Sequence, residues 1–260
     1  MNTTQKVIKT FAICLSALII LSIINGVEHF VTSEFSFNND VNINETYNSD
    51  INNIKIDVGT TNMVIKYGDT FSITAENVSK EFKIKEEGNT LIIKEKNITI
   101  FGNKKSSHTT ITIPNDLNNL SIDIGAGKLE LSDITSNNFS LNQGAGKVVI
   151  TNLISNNTTI DGGAGELHIT SSKLQNLDLD LGAGKCYYNG ILLGNNKIDQ
   201  GVGELILDLY REDYTIKASK GLGSITINGE SYSKDVTVGE GINDIKIDGG
   251  IGSIIINTNK

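Results

Sequence analysis

A glycine corner that returns every nineteen residues is the feature that most constrains the fold of this chain. The stretch SIDIGAGKLEL, residues 121–131, alternates polar and apolar residues on either side of a G-x-G tripeptide. Fixed periods of this size are typical of solenoids, in which one supersecondary unit stacks on the next. Glycine accepts a positive φ without a Cβ penalty, so we assign a structural corner role to Gly125 and Gly127, Gly144 and Gly146, Gly163 and Gly165, Gly182 and Gly184, and Gly201 and Gly203. Gly221 and Gly250 begin two further corners at longer intervals.

Apolar residues recur at fixed distances from the first glycine of each corner. Three residues before it stand Ile122, Leu141, Ile160, Leu179 and Ile198, and four residues after it stand Leu129, Val148, Leu167, Cys186 and Leu205. The positions between them are mostly polar, so both flanks are predicted strands with one buried face. The inward phase slips by one residue at the tripeptide, which indicates a bend. We expect its apolar middle residue, such as Ala126, to fill the corner from inside.

A column of asparagines indicates how the coils stack. These residues stand six positions before each corner: Asn119, Asn138, Asn157, Asn176 and Asn195. Asparagine side chains can bond to copies of themselves when strands repeat at a spacing of ~4.8 Å. The sequence therefore predicts an all-β fold, a parallel β-solenoid (β-helix) with coils of about 19 residues.

The chain divides into four predicted segments. Residues 1–30 form an N-terminal membrane anchor or signal segment and residues 31–50 a linker. Residues 51–116 form a degenerate first coil around Gly59, followed by a β-hairpin cap. Residues 117–260 form the regular solenoid repeats.

The first segment predicts a location at the cell membrane. Lys6 and Lys9 precede an apolar run from Phe11 to Val27, which reaches the lower limit for spanning a bilayer. Cationic residues before such a run favour a single anchor with a cytoplasmic N-terminus. The alternative is a cleaved signal peptide and a secreted protein. Both interpretations place the solenoid outside the cytoplasm.

The sequence resembles the putative-adhesin β-strand-repeat family of bacterial envelope proteins, a family built on a domain of unknown function. The resemblance lies in ITIPNDLNNLSIDIGAGKLEL, residues 111–131, in the successive GAGKLEL-type coils and in the short N-terminal apolar segment. It implies an exported or membrane-anchored protein and supplies no catalytic residues.

Several classes of site are disfavoured by composition and spacing. A net charge of −8 and a single arginine, Arg211, argue against nucleic acid as a partner. The histidines His29, His108 and His168 lack metal-ligand spacing, and the G-A-G-K corners lack the spacing of a P-loop. We therefore expect no catalytic residue, no metal, no cofactor and no enzymatic activity.

One outward column is a candidate partner surface. Five residues after successive corners stand Val149, His168, Tyr187 and Ile206. Exposed apolar rows can contact partners, and the alternative is that these residue types simply suit strands. A second column, with Asp161, Asp180 and Asp199 two residues before the corners, is either a cation ladder or a row of turn carboxylates.

These features together predict a function at the cell envelope. We expect a non-catalytic, membrane-anchored extracytoplasmic solenoid that acts as an adhesin-like binding or scaffold module. Its partner is an unknown protein or polysaccharide ligand at the cell surface. The alternatives are an envelope-stress regulatory protein and a carbohydrate-active β-helix enzyme.

Overall fold

The fold contains only β-strands in the part of the chain that the structure describes. The structure is a computed structural model and describes residues 35–36, 41–47, 50–95, 103–104 and 106–258. The predicted anchor or signal segment, residues 1–30, lies outside these residues. Within the described ranges, no helix is long and apolar enough to cross a bilayer.

The strands differ greatly in length because several coils are continuous in β-conformation. In chain order they are β1 (Phe35–Ser36), β2 (Val41–Thr46), β3 (Asn53–Tyr67), β4 (Ser72–Val78), β5 (Phe82–Glu87), β6 (Thr90–Glu95), β7 (Asn103–Lys104), β8 (His108–Ile113), β9 (Leu117–Gln175), β10 (Leu177–Leu193), β11 (Asn195–Leu209), β12 (Tyr214–Ile227), β13 (Glu230–Tyr232), β14 (Val236–Val238) and β15 (Asn243–Thr258). Strand β9 contains three successive G-x-G corners.

Each regular coil has three straight sides around a common interior. In the coil of Gly125 the buried residues include Ile122 and Ile124 on the first side, Leu129 and Leu131 on the second, and Ile134 and Ser136 on the third. The alternation shifts by one residue between sides, as a bend requires. The second bend was not predicted from the sequence, and it is marked by left-handed residues at Asp133 (φ 58), Asn152 (φ 55) and Ser171 (φ 53).

Successive coils stack in parallel and in register. Leu179 of β10 lies between Ile160 of β9 and Ile198 of β11. The first coil follows the same pattern, since Ile56 of β3 lies beside Ile122. Equivalent apolar side chains therefore form continuous buried columns, and the predicted all-β solenoid is confirmed.

The last strand of the chain lies inside the stack. Strand β15 pairs in parallel with β11 on one side and with β12 on the other, so the coil of Gly250 separates the coils of Gly201 and Gly221. The segment between β11 and β12, residues 210–213, must therefore span two inter-coil spacings, whereas other connections span one. The interval from Gly201 to Gly221 is twenty residues instead of nineteen. The extra residue adds ~3.3 Å of extended chain, which covers much of the additional ~4.8 Å between adjacent coils.

Antiparallel strands cover both ends of the stack. At the N-terminal end, β6 and β8 pair with β3, and β5 and β4 then pair antiparallel with them. Strand β2, within the predicted linker of residues 31–50, joins this cap by pairing with β4. At the other end, β13 and β14 each pair antiparallel with β12. Such strands cover exposed edges that would otherwise template aggregation.

The predicted asparagine column is present as a side-chain ladder from Asn119 to Asn176, and Asn195 joins it through its backbone N–H, which donates to Asn176 Oδ1 at 3.3 Å. Asn138 Nδ2 donates to Asn119 Oδ1 at 2.8 Å, and Asn157 Nδ2 donates to Asn138 Oδ1 at 3.0 Å. The ladder continues from Asn176 to Asn157 at 3.4 Å, and Asn53 of β3 accepts from Asn119 at 2.6 Å. Its continuity across β3 and β9 shows that the degenerate first coil keeps the same register.

Candidate functional site

At the corner glycines, the position of an added Cβ is already taken by the backbone of the neighbouring coil. Gly184 has φ 144, and a Cβ added there would collide with the carbonyl oxygen of Gly165 in the coil below. The same close approach is found at each predicted corner glycine: Gly125, Gly127, Gly144, Gly146, Gly163, Gly165, Gly182, Gly201 and Gly203. These residues set the spacing of the coils and present no side chain for chemistry.

The middle residue of the corner does not fill the interior as the sequence suggested. In the first regular coil the second glycine, Gly127, is buried, and Ala126 is half-exposed. In that coil the inward position of the bend is therefore taken by backbone, whereas in the next four corners the middle residue and the second glycine are both half-buried. At the C-terminal end of the stack Leu222, the residue at this position in β12, is 58% exposed.

The predicted partner column is brought together on the outward face of the second side. Tyr187 lies between His168 and Ile206 in parallel register, and Val149 occupies the equivalent position one coil before His168. All four side chains are half-buried. The structure adds Ile255 directly beside Ile206. Chain order gave no signal for this neighbour, because the sequence places Thr226 of β12 next.

A group of aromatic and polar side chains surrounds Tyr187. The rings of His168 and Tyr187 are 6.3 Å apart at an interplanar angle of 51°. The Tyr187 hydroxyl donates to Asp208 Oδ2 at 2.9 Å. This hydrogen bond raises the pKa of the Tyr187 phenol, and partial burial adds to the shift.

The neighbouring outward column extends this group beyond the predicted residues. Asn257 Nδ2 donates to Asp208 Oδ1 at 2.7 Å, so the carboxylate is held from two sides. The hydroxyl of Tyr210, a residue 45% exposed, donates to Asn189 Oδ1. We call His168, Tyr187, Asn189, Asp208 and Tyr210 the tyrosine platform. Sequence reasoning missed these residues because the second bend was not recognised: Asn189 and Asp208 directly precede it, and Tyr210 directly follows it.

Charged side chains line the other edge of the partner column. Lys147 Nζ lies 2.9 Å from Glu166 Oε2, and Lys185 Nζ lies 3.6 Å from Glu204 Oε2. The hydrogen bond from Lys147 lowers the pKa of the Glu166 carboxyl, and His168, 3.4 Å away, contributes in the same direction. These pairs join adjacent coils, as the alternating signs of the residues predict.

The aspartate column forms ion pairs at its C-terminal end. Asp161, Asp180, Asp199 and Asp248 are in register on adjacent strands. Asp199 is paired with Lys197, and Asp248 lies 2.7 Å from Lys246 and accepts a hydrogen bond from Ser219 at 2.7 Å. Within the described ranges, no three His, Cys, Asp or Glu side chains are grouped so that they could hold a metal ion.

Cys186, the cysteine of the solenoid, is a core residue. Cys186 is 1% exposed, and burial raises the pKa of its thiol to about 12. A thiol held protonated in this way is a poor nucleophile. Its role is therefore to fill its column between Leu167 and Leu205.

The comparisons with known proteins relate the chain to a family and to solved structures. The family model described as Toastrack DUF4097 matches residues 51–247. No curated protein matches the chain. A putative adhesin from Bacteroides fragilis has a similar structure, with a TM-score of 0.58, 18% identity, and coverage of 85% of this chain and 98% of the other. This similarity shows a common fold.

Two further structures match at lower similarity. A putative cell adhesion protein from Clostridium sporogenes has a TM-score of 0.35 and 16% identity, with 85% of this chain and 100% of the other covered. A putative lipid binding protein from Parabacteroides distasonis has a TM-score of 0.35 and 15% identity, with 86% and 98% covered.

Proposed function

Because this chain belongs to the Toastrack DUF4097 family, we propose that it is a non-catalytic binding module held outside the cytoplasm, at a bacterial cell envelope, by its N-terminal segment. The observation that carries the proposal is the row of outward side chains from Val149 to Ile255. In this row, equivalent residues of successive coils stand side by side on one face of the stack.

An extended face of this kind suits recognition of an elongated partner. Stacked coils repeat the same outward positions, so a ligand can contact several coils at once. The row offers half-buried apolar and aromatic side chains bordered by charged and polar columns. That combination of an apolar centre and a polar rim is found in binding surfaces. The name of the Bacteroides fragilis neighbour, a putative adhesin, agrees with a binding role.

The acidic groups beside the row are arranged for structure. Glu166 and Glu204 are paired with lysines, and Asp208 accepts from Tyr187 and Asn257. General acid and base catalysis in a glycosidase requires two carboxyl groups that face each other across the scissile bond. The carboxylates here lie along an outward sheet face, with their oxygens bonded to neighbouring coils. This arrangement supports a binding role over the carbohydrate-active enzyme.

The N-terminal sequence supports the location. Lys6 and Lys9 precede the apolar run from Phe11 to Val27. An anchor with this charge distribution leaves the following solenoid outside the cytoplasm. Protease added to intact cells should therefore degrade the solenoid, and the membrane-bound protein should retain its N-terminal mass. Recovery of the intact solenoid from the cytoplasmic fraction would contradict the proposal.

Binding is tested with isolated envelopes. The full chain in detergent should be retained by envelope material, and the double variant Tyr187→Ser, Ile206→Ser should be lost from it. Tyr67→Ser is the matched control, because Tyr67 is an exposed tyrosine in β3 that lies outside the row. Equal retention of the double variant and the wild type would reject the row as the binding surface. Cleavage of isolated envelope polysaccharide by the chain would reject the non-catalytic role.

A further inference from the structure

The tyrosine platform combines exposed aromatic surface with an ordered polar centre. Tyr210 is 45% exposed, and the side chain of His168 is 38% exposed. Tyr187 is half-buried and lies between His168 and Ile206 of the adjacent coils. The hydroxyls of both tyrosines lie next to the Asn189 amide, and Tyr187 also reaches Asp208. Two aromatic rings and one imidazole are therefore grouped around a carboxylate and an amide on the surface of the rod.

Hydrogen bonds fix these rings before any ligand arrives. Asp208 is held by both Tyr187 and Asn257, and Asn189 accepts from Tyr210. An exposed tyrosine loses side-chain freedom when it is immobilised in an interface, which weakens binding. In the platform much of that ordering is already present, which favours a ligand that stacks on the rings.

The charge of the platform selects among ligands. The chain carries a net charge of −8, and Lys147 and Lys185 beside the partner column are paired with Glu166 and Glu204. Asp208 adds a carboxylate at the centre. A polyanion would meet repulsion here with few unpaired cations to offset it. An uncharged ligand rich in hydroxyl groups can stack its C–H faces on the rings and bond to Asp208 and Asn189.

We propose that the tyrosine platform binds an uncharged, hydroxyl-rich polysaccharide chain. This inference rests on the proposed function, because it names the ligand class of the same outward face. The polysaccharide lies along the partner column, with sugar rings stacked on Tyr187 and Tyr210. The hydroxyl groups of the sugar bond to the carboxylate and the amide between them.

The experiment uses the full chain in detergent and purified probes. Linear neutral oligosaccharides, made of glucose, galactose or N-acetylglucosamine units, are titrated by calorimetry beside polygalacturonate as the polyanion. Binding of at least one neutral probe is expected, and Tyr210→Ser should weaken it about tenfold or more, since ring stacking and its hydrogen bond are both lost. Tyr210→Phe keeps the ring and should retain part of the affinity. Tyr67→Ser should bind as the wild type does.

Three outcomes would overturn the inference. They are binding of polygalacturonate alone, binding of neutral probes that survives both Tyr210→Ser and Tyr187→Ser, and no binding of any neutral probe. Unfolding curves of each variant show whether a substitution acts by destabilising the protein. If Tyr210→Ser does so, the test rests on Tyr210→Phe, which keeps the ring and should retain part of the affinity for the neutral probe. Retention on isolated envelopes tests the proposed function separately. A chain that is retained by envelopes and binds no neutral probe keeps that function and loses this ligand.

Discussion

Ile255 lies directly between Ile206 and Thr226 in the stack, so the C-terminal strand is an inner layer of the solenoid. Residues after Gly201 therefore stack in an order different from their order in the chain. This arrangement makes the coil of Gly221 dependent on β15, because β12 has no other parallel neighbour among the described strands. It also lengthens the apolar row, since two isoleucines become adjacent.

Disulfide trapping should report the order of the coils. In a chain with Cys14→Ser, the pair Ile206→Cys and Ile255→Cys should crosslink under mild oxidation, because adjacent strands lie ~4.8 Å apart. The pair Ile206→Cys and Thr226→Cys should not, since two levels separate those residues by about 10 Å. Cys186 is buried with its thiol pKa raised to about 12, so it should not compete. The reverse pattern, assayed by mobility on a non-reducing gel, would show that the coils follow chain order.

The regular part of the fold could be predicted because each coil repeats the same local requirements. The glycine corners and the asparagine column are properties of single residues at fixed positions, and Asn53 extends the ladder into the degenerate coil. The bend at Asp133 could not be recognised as readily, since the equivalent positions hold Asn152, Ser171 and Gly190, which share a positive φ in the structure but no residue type.

The position of β15 and the full tyrosine platform depend on long-range pairing. Both β12 and β15 fit the coil template, so local pattern alone does not decide which of them lies on β11. The strand pairing decides it, and the sequence shows only that the interval from Gly201 to Gly221 is one residue longer than the regular nineteen. Tyr210 directly follows β11, and its backbone N–H donates to the Gly190 carbonyl at 2.9 Å while its hydroxyl donates to Asn189.

Substitution at a stacked corner glycine should destabilise the solenoid more than substitution at an open turn. Gly184→Ala places a methyl group against the carbonyl oxygen of Gly165, whereas at Gly88 (φ 61) no atom lies within 4 Å of the added carbon. Gly88→Ala should cost only the left-handed backbone penalty of about 1–2 kcal/mol. Gly184→Ala should cost at least about 2 kcal/mol more, because coils must separate. Urea unfolding measures both, and equal losses would show that the corners are not tightly stacked.

A buried hydroxyl in the first-side column should be replaceable with a gain in stability. Thr158 is 1% exposed beside Leu177, and its Oγ1 has no hydrogen-bond partner. Thr158→Val keeps the β-branched shape and should raise the free energy of unfolding by about 1 kcal/mol. Ser136→Ala is the matched control, since Ser136 Oγ donates to the Asn138 carbonyl at 2.8 Å. That substitution should lower stability by about 1 kcal/mol, and a loss of stability in Thr158→Val would contradict the assignment.

The bond between Tyr187 and Asp208 should make one contribution to stability depend on alkaline pH. The carboxylate raises the pKa of the Tyr187 phenol in the folded state, so the protonated phenol stabilises the fold. This contribution is fully present below the unfolded pKa of about 10. It is lost as the pH rises through the higher folded value. The stability difference between wild type and Tyr187→Phe should therefore shrink only in that alkaline range.

Asp208→Asn tests the cause of the shift. Removal of the carboxylate should lower the pKa of Tyr187 toward its usual value. NMR titration of labelled tyrosine measures this pKa, and the signal missing from Tyr187→Phe identifies Tyr187. Asp199→Asn, on the first side of the same coil, should leave that pKa unchanged. If Asp208→Asn has no effect either, the phenol is not bonded to Asp208 in solution. Tyr187 would then lack the ordering that favours a stacked ligand, whereas Tyr210 would keep its bond to Asn189.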